Sequence, residues 1–474
     1  MQMHDSRSFS HTFQASLLRE YDIRGIVGET LRSADAFAIG RSFGAFVSRV
    51  GGSRVPVGRD GRLSSPDLSM ALIEGLIASG VAVTDIGVGP TPMLYFCATV
   101  DEMDGAVMVT GSHNPANYNG FKMMLGRKPF FGPQIQDLGR LAAEGKLPET
   151  SPGSVAKKDI KDLYVERLLQ DWRGGDRALE VVWDPGNGSA GEVLVRLVKG
   201  LPGNHTVLNA EIDGRFPAHH PDPTVPRNLE QLIAAVRTRN ADIGIAFDGD
   251  ADRIGLVDDT GEVLFGDQFL ILLARDVLAT HKGAPIIADV KASQVLFDEI
   301  TRAGGKPLMW KTGHSLIKAK MAETGAPLAG EMSGHIFFAD HWYGFDDALY
   351  TAIRVLNALI ASGKPLSVFR RALPTVVNTP ELRFDCPEDR KFAVVAEVAE
   401  RLRADGAQVS ETDGVRVTTD EGWWLLRASN TQAVLVARAE AKSDAALQAL
   451  KAAVAAQLAA SGLAPDFAGS NASH

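Results

Sequence analysis

The chain is 474 residues long, 45% apolar and 23% charged, with a formal net charge of −9. One hydrophobic core does not grow to that length, so three or four domains are expected; no apolar stretch approaches the ~20 residues of a membrane span, and the acidic balance argues against a broad footprint for nucleic acid or an anionic membrane. Any phosphate site on such a chain must be locally basic. Met1 to His11 is polar and mixes Asp5 with Arg7, unlike a secretory leader, and Cys97 and Cys386 lie far apart with no CxxC pair, so a cytoplasmic, reducing location is expected, with neither a disulfide nor a thiolate metal site.

In chain order, Ile39, Phe43, Phe46, Val47 and Val50 recur at helical spacing after Ser33, a candidate N-cap, with Asp35 in the first turn. A short strand, Arg54 to Gly58, precedes an amphipathic helix from Leu68 to Ser79 that ends at Gly80, and Val81 to Ile86 reads as the next strand. Strands and helices keep alternating to Leu382, with strands at Val181 to Trp183 and Ile286 to Asp289, the pattern of stacked α/β domains with parallel or mixed sheets. Gly and Pro clusters place joints near 150–158, Gly261 and Pro374, dividing the chain into 1–157, 158–261, 262–374 and 375–474. The first three segments have room to share one topology. The last, with strands at Val415 to Thr419 and Ala433 to Ala437 and a helix presenting Leu447, Leu450, Val454 and Leu458, reads as a smaller α+β domain. The tail after Gly462 is small and polar and is expected to fray.

Four short segments carry side chains suited to chemistry. Thr110-Gly111-Ser112-His113-Asn114-Pro115 follows the strand-like run Ala106 to Val109, so a turn there is expected to present Ser112 to solvent, where it could be a nucleophile. It is not the elbow of α/β hydrolases, since Thr110 and Asn114 stand where that turn needs Gly, and a serine merely capping its own loop fits the same letters. Asp248-Gly249-Asp250-Ala251-Asp252-Arg253 follows Ile243 to Phe247 and sets three carboxylates at alternate positions, as Mg²⁺ or Ca²⁺ requires. An EF-hand would need Gly in place of Arg253 and helical flanks; a solvated acidic turn is the plainer alternative. Gly330-Glu331-Met332-Ser333-Gly334-His335 offers an acceptor, a hydroxyl and a titratable ring, an inventory for a polyhydroxyl ring or an ordinary polar loop. Arg427-Ala428-Ser429-Asn430-Thr431 lies between two strands and suits an anion, or a simple hairpin.

In this order the four segments resemble the α-D-phosphohexomutase superfamily, with its phosphoserine, metal, sugar and phosphate loops. Further matches are Glu20-Tyr21-Asp22-Ile23-Arg24-Gly25, Asn119-Gly120-Phe121-Lys122 and Lys311-Thr312-Gly313-His314-Ser315, so the resemblance spans nearly the whole chain. Together with Asp413-Gly414-Val415-Arg416, the motifs look most like the bacterial phosphomannomutase/phosphoglucomutase branch. Ala116-Asn117 and Gln432-Ala433 depart from the usual pattern beside two of the loops and touch loop shape, not ligands.

The resemblance implies three similar α/β domains with mixed sheets and a smaller α+β C-terminal domain around a central cleft. It implies that a phosphorylated Ser112 exchanges its phosphoryl group with a hexose 1- or 6-phosphate of glucose or mannose, through a hexose 1,6-bisphosphate that reorients in the cleft. Asp248, Asp250, Asp252 and an oxygen on Ser112 would hold Mg²⁺, with glucose 1,6-bisphosphate as activator. Arg24, Lys122 and Arg253 would supply positive charge, Lys122 or His335 the general base, and Glu331 and Ser333 contacts to the sugar hydroxyls. Tyr21, Arg427, Ser429, Asn430 and Thr431 would hold the phosphate that is not reacting, with Lys291 and His314 as further substrate contacts. The last domain, hinged near Pro374, would close over the site. A phosphoglucosamine mutase and a metal-dependent sugar phosphatase are the alternatives.

Overall fold

The structure, a computed structural model, describes residues 9–147, 150–175, 177–430, 432–464 and 467. Its strands form four separate sheets, and the first three repeat one arrangement. In the first, Ala82–Val88, Arg54–Arg59 and Gly105–Val109 run parallel and Tyr118–Leu125 closes the row antiparallel. In the second, Gly203–Val207, Leu179–Asp184 and Ile243–Phe247 are followed by antiparallel Ile254–Asp258. In the third, Lys306–Trp310, Pro285–Asp289 and Leu328–Gly330 are followed by antiparallel Ile336–Phe338. Each motif therefore has strand order 2-1-3-4 with only the fourth strand reversed. Edges differ: the first sheet adds Ile23–Ile26, Lys128–Pro129 and Ser154–Lys157, and the second adds Val263–Leu264. The fourth sheet is antiparallel throughout, with Val434–Ala441 paired to Gly422–Ala428 on one side and to Leu382–Asp385 and Val377–Asn378 on the other.

Strand Ile243–Phe247 is buried at every residue, which is why it reads as an unbroken apolar run and not as an alternation. Helix Ser33–Arg49 buries Ile39, Phe43 and Val47, but its boundaries differ from the sequence reading. Ser33 is the first helical residue, and the Asp35 carboxylate accepts the Arg32 N–H at 2.7 Å. Val50 lies past the last turn, where the chain reverses through Gly51 at φ +79°, and is 61% exposed instead of on the apolar face. Helix Ser65–Ala78 begins a turn earlier than expected because Pro66 is compatible with its first positions. These two helices pack backbone to backbone: a methyl at Gly75 would lie 2.2 Å from the Phe37 carbonyl oxygen. Strand Val434–Ala441 runs four residues beyond the expected end, since as an interior strand it finds partners along its length.

The first three domains meet in one core cluster that includes Phe96, Tyr164, Trp183, Leu273 and Leu356, and each has a further cluster of its own, the largest being the first domain's around Phe43, Leu72 and Val107. The fourth domain has its own core around Leu426, Ala437 and Leu458, and meets the third through a small group of Val290, Trp423 and Leu425. Cys97 and Cys386 are free and buried. Among the described residues, no helix is long and apolar enough to cross a membrane. Most of the tail after Gly462, expected to fray, lies outside the described residues.

Candidate active site

The repeated topology explains where the motifs sit. In each of the first three domains the loop that follows the last parallel strand and leads into the reversed one carries a motif: residues 110–117, 248–253 and 331–335. Loops at the carboxyl ends of parallel strands are the usual binding edge of α/β sheets. The fourth motif occupies the hairpin between Gly422–Ala428 and Val434–Ala441.

Ser112 is not open to solvent as its turn suggests but 2% exposed, because the 248–253 loop of the second domain packs onto it, and it has a left-handed backbone, φ +49°. Its Oγ donates to Asp248 Oδ2 at 2.8 Å, which joins the serine loop to the metal loop across two domains. A methyl at Gly249 would lie 2.4 Å from the Ser112 carbonyl oxygen, so glycine is what permits that approach. Asp248, Asp250 and Asp252 are fully buried, and an oxygen from each lies within 4.8 Å of the others. Burial, then the charges of Asp250 and Asp252, push the Asp248 carboxyl well above the usual carboxylate range. Burial opposes the charge of Asp250 as well, but Lys122 outweighs it and holds that carboxyl low. Lys122 Nζ donates to Asp250 Oδ2 at 2.7 Å and also to Asp252, and Thr91 Oγ1 donates to Asp250 at 2.5 Å. Asp250 Oδ1 and Asp252 Oδ1 are buried without a hydrogen-bond partner. Crowded, hard, unpartnered anionic oxygens of this kind fit a small divalent cation.

The sugar loop closes on the same point. Arg253 and His335 form an antiparallel bridge, and Arg253 Nε donates to His335 Nε2 at 2.9 Å. His335 Nδ1 lies 3.0 Å from Asp346 Oδ2 and 3.6 Å from Asp252 Oδ1, and the His314 ring stacks on it at 5.5 Å. Arg24, paired with Asp22, sits opposite Gly120 on the strand beside Lys122. Burial first, and then the charges of Arg253, Arg24 and Lys122, hold the His113 imidazole well below its ordinary value.

Farther along the cleft, Glu331 is buried and accepts the Gly313 N–H at 2.5 Å, and burial pushes its carboxyl up; Ser333 is half-buried in the same loop. Lys291 Nζ pairs with Glu381 at 3.1 Å. Arg427 Nε donates to Asp413 at 2.9 Å, and Asp413 also accepts the Thr312 N–H at 3.1 Å. Tyr21 O–H donates to the Thr312 carbonyl at 2.8 Å and accepts from Asn430, so the first, third and fourth domains meet there. Ser429 is buried in the hairpin and its Oγ accepts the Gln432 N–H at 3.2 Å. Thr431 lies outside the described residues. The motifs thus gather around two neighbouring points, the carboxylates of Asp248, Asp250 and Asp252 and the junction of Tyr21, Thr312 and Asn430.

Sequence reasoning missed Thr91, Asp346 and Glu381, and it matched the stretch that begins at Asp413 without giving that residue a role. Asp346 is fully buried and also takes Lys318 Nζ at 3.0 Å. Thr91, Asp346 and Glu381 stand in none of the motifs; only their long-range contacts single them out.

Four family models match the chain in order, described as phosphoglucomutase/phosphomannomutase alpha/beta/alpha domain I over residues 15–145, domain II over 162–261, domain III over 265–377 and the C-terminal domain over 381–457. A phosphomannomutase/phosphoglucomutase of Pseudomonas aeruginosa is 45% identical over 440 residues, covering 93% of this chain and 95% of the relative. A phosphoglucomutase of Neisseria gonorrhoeae is 45% identical over 439 residues, covering 92% and 95%. The crystal structure of a phosphoglucomutase/phosphomannomutase family protein from Burkholderia thailandensis superposes with a TM-score of 0.89 at 45% identity, covering 95% of this chain and 98% of that one. With every domain matched in order and the motif loops brought together in one cleft, the chain belongs to the phosphoglucomutase/phosphomannomutase family.

Proposed function

We propose that this chain interconverts hexose 1-phosphates and hexose 6-phosphates of glucose and mannose, with Ser112 as the phosphoryl carrier and a hexose 1,6-bisphosphate as the intermediate. The reading makes it an isomerase, an intramolecular phosphotransferase. The observation that carries it is the 2.8 Å contact from Ser112 Oγ to Asp248, within a cluster of three buried carboxylates. Phosphoryl transfer needs positioning and charge neutralisation more than covalent work by the protein.

Asp248, Asp250 and Asp252, with an oxygen on Ser112, would hold Mg²⁺, which when bound withdraws charge from the phosphoryl oxygens. Arg24, Lys122 and Arg253 face the same point and supply the fixed positive field. Lys122, which Asp250 and Asp252 hold protonated well above its ordinary value despite burial, serves there as a charge. His335 is then the proton carrier. Its Nδ1 lies 3.0 Å from Asp346 Oδ2, and its Nε2 accepts from Arg253 Nε, so a phosphate that draws Arg253 to itself would release the Nε2 lone pair for the attacking hydroxyl. Glu331 and Ser333 would hold sugar hydroxyls away from the 2-position, which lets both epimers in. Lys291 and His314 would make further contacts to the sugar phosphate.

At the distal end, Tyr21, Arg427, Ser429, Asn430 and Thr431 would clamp the second phosphate and so set the reacting oxygen against Ser112. Reorientation of the bisphosphate requires that clamp to open. The fourth domain's own core and its small apolar contact through Val290, Trp423 and Leu425 support a domain that moves as a body near Pro374, a motion that would have to break the Arg416 bonds to the Val290 and Ala292 carbonyls and the Gln294 bond to Glu440. The four sheets support the divisions at 157 and 374, whereas the second sheet runs past the expected joint at 261 because Val263–Leu264 pairs into it. Glucose 1,6-bisphosphate would serve as activator by phosphorylating Ser112, and the two free, buried cysteines fit a cytoplasmic setting.

A phosphorus NMR time course with Mg²⁺ and a trace of glucose 1,6-bisphosphate, offering glucose, mannose and glucosamine 1-phosphates separately, tests this reading beside Ser112→Ala. Conversion of the first two to 6-phosphates, abolished in the variant, is the expected result. Preference for glucosamine 1-phosphate would reassign the substrate, and release of inorganic phosphate without isomerisation would overturn the mutase.

A further inference from the structure

The serine loop is held from behind by a side chain that no motif includes. Arg62 is 1% exposed, and its guanidinium points at the backbone of residues 112–118. Nη2 donates to the carbonyl oxygens of Ser112 at 2.8 Å and Asn114 at 2.6 Å; Nη1 donates to those of Pro115 at 2.5 Å and Tyr118 at 3.0 Å. Nε donates to Asp60 Oδ2 at 3.2 Å. That same carboxylate oxygen accepts Thr110 Oγ1 at 2.9 Å and the Gly111 N–H at 3.0 Å, so Asp60 holds the entry of the loop while Arg62 holds its body.

Two neighbours fix the guanidinium in turn. A methyl on Gly111 would lie 2.3 Å from its carbon, so the loop lies directly over it. The Phe216 ring, from the second domain, lies 5.2 Å from it. Four carbonyls gathered around one point repel one another unless a multidentate donor stands between them. Arginine offers five N–H groups in a rigid plane, whereas a lysine ammonium offers three from a single atom. A left-handed, non-glycine backbone such as that of Ser112 persists only where its surroundings over-determine it, and the Ser112 carbonyl is among the four that Arg62 holds.

We propose that Arg62 is the positioning residue of the phosphoryl carrier: through the backbone carbonyls of the serine loop it sets Ser112 Oγ against the Asp248 cluster, without touching substrate. This rests on the reading of Ser112 as the carrier. The distal phosphate and sugar contacts belong to Tyr21, Glu331 and Arg427, so loosening Arg62 slows transfer and leaves substrate binding alone.

The test compares wild type, Arg62→Lys and Gly111→Ala. It uses steady-state kinetics with glucose 1-phosphate and the rate at which glucose 1,6-bisphosphate phosphorylates Ser112, followed by intact mass. Arg62→Lys is expected to lower kcat and the Ser112 phosphorylation rate by roughly 10- to 100-fold, the scale of an ~1 Å misplacement, with KM at or below the wild-type value. Gly111→Ala keeps the arginine but pushes the loop off it, and is expected to show the same pattern; it decides the matter if Arg62→Lys does not fold. A folded variant with wild-type phosphorylation rate, or one whose loss lies in a raised KM, overturns the role of Arg62. Wild-type enzyme that never acquires phosphate on Ser112 overturns the carrier reading instead, so the two failures are distinct.

Discussion

Replacing Lys122 with Met should weaken the enzyme while tightening its hold on a divalent cation. The ammonium donates to Asp250 Oδ2 at 2.7 Å and also to Asp252, in a site where both carboxylates are fully buried. Removing one partner of a buried ion pair costs about 3–5 kcal/mol, so metal-free Lys122→Met should melt below the metal-free wild type. The same ammonium repels any cation bound by those carboxylates. For a divalent ion at a separation of ~5 Å and an effective dielectric of ~20, that repulsion is about 6–7 kcal/mol. Most of it is offset because the lysine side chain and water rearrange when the ion enters. If even about 1.4 kcal/mol survives, affinity rises tenfold. Calorimetric titration of dephosphorylated enzyme with Mg²⁺ and Mn²⁺ measures this directly, and the gain in Tm on adding metal should be larger for the variant than for wild type. Equal or weaker metal binding by a folded Lys122→Met would refute the placement of Lys122 as a competing charge at the metal loop.

Tyr21→Phe removes the hydroxyl that links Thr312 to Asn430. At about 1 kcal/mol per hydrogen bond, KM for glucose 1-phosphate should rise roughly fivefold with a smaller change in kcat. Gly75→Ala would force the first two long helices apart, because the new methyl meets the Phe37 carbonyl at 2.2 Å. Such overpacking costs about 1–3 kcal/mol and should lower Tm without altering metal affinity. The His219–Asp184 pair, 2.9 Å apart, predicts a pH dependence of stability. Burial works against the charge on His219, but the hydrogen bond and charge of Asp184 outweigh it and raise the imidazole above its ordinary 6.5. The contribution is therefore complete below pH 6.5 and lost as pH rises through the raised value. Burial likewise opposes the Asp184 charge, yet His219 holds that carboxyl below 3.8, so the acid side is lost only as pH falls beneath 3.8. Chemical denaturation across pH should show the alkaline fall in wild type and its absence in His219→Asn.

What was legible in the sequence was whatever depends on neighbours in the chain. Ile243–Phe247 announces itself as a buried strand because five successive residues are enclosed on both faces, and Asp248, Asp250 and Asp252 can be read together because one loop spaces them. Asp346 and Asp347 show where that reading stops. Two identical, adjacent residues have different work: Asp347 caps helix Ala348–Ser362 by accepting the Tyr350 N–H at 2.9 Å, while Asp346 faces Lys318 and His335. Nothing local separates them; the fold does, by turning one side chain to a helix end and the other to the cleft. Asp60 and Arg62 are invisible for the same reason, since the serine-loop groups they hold lie 50 or more residues later in the chain. Val50 misled in the opposite sense, because a periodic pattern continues in the letters after the helix itself has stopped.

The net charge of −9 and the phosphate substrate are reconciled by how the cleft stores its cations. Four of the five basic groups that would meet phosphate already face a carboxylate, since Arg24 faces Asp22, Lys122 faces Asp250 and Asp252, Lys291 faces Glu381 and Arg427 faces Asp413, while Arg253 donates to His335. A phosphate entering the cleft does not fall into bare positive charge; it exchanges with, or joins, carboxylates that have already fixed those cations in place. The desolvation of those cations is met during folding, and what the ligand gains is the difference between a carboxylate and a dianionic, multidentate phosphate. The proposed mechanism calls for a difference large enough for recognition and small enough for release. A mutase needs this balance, because the same distal clamp must hold one phosphate during the first transfer, let the bisphosphate go, and hold the other phosphate for the second.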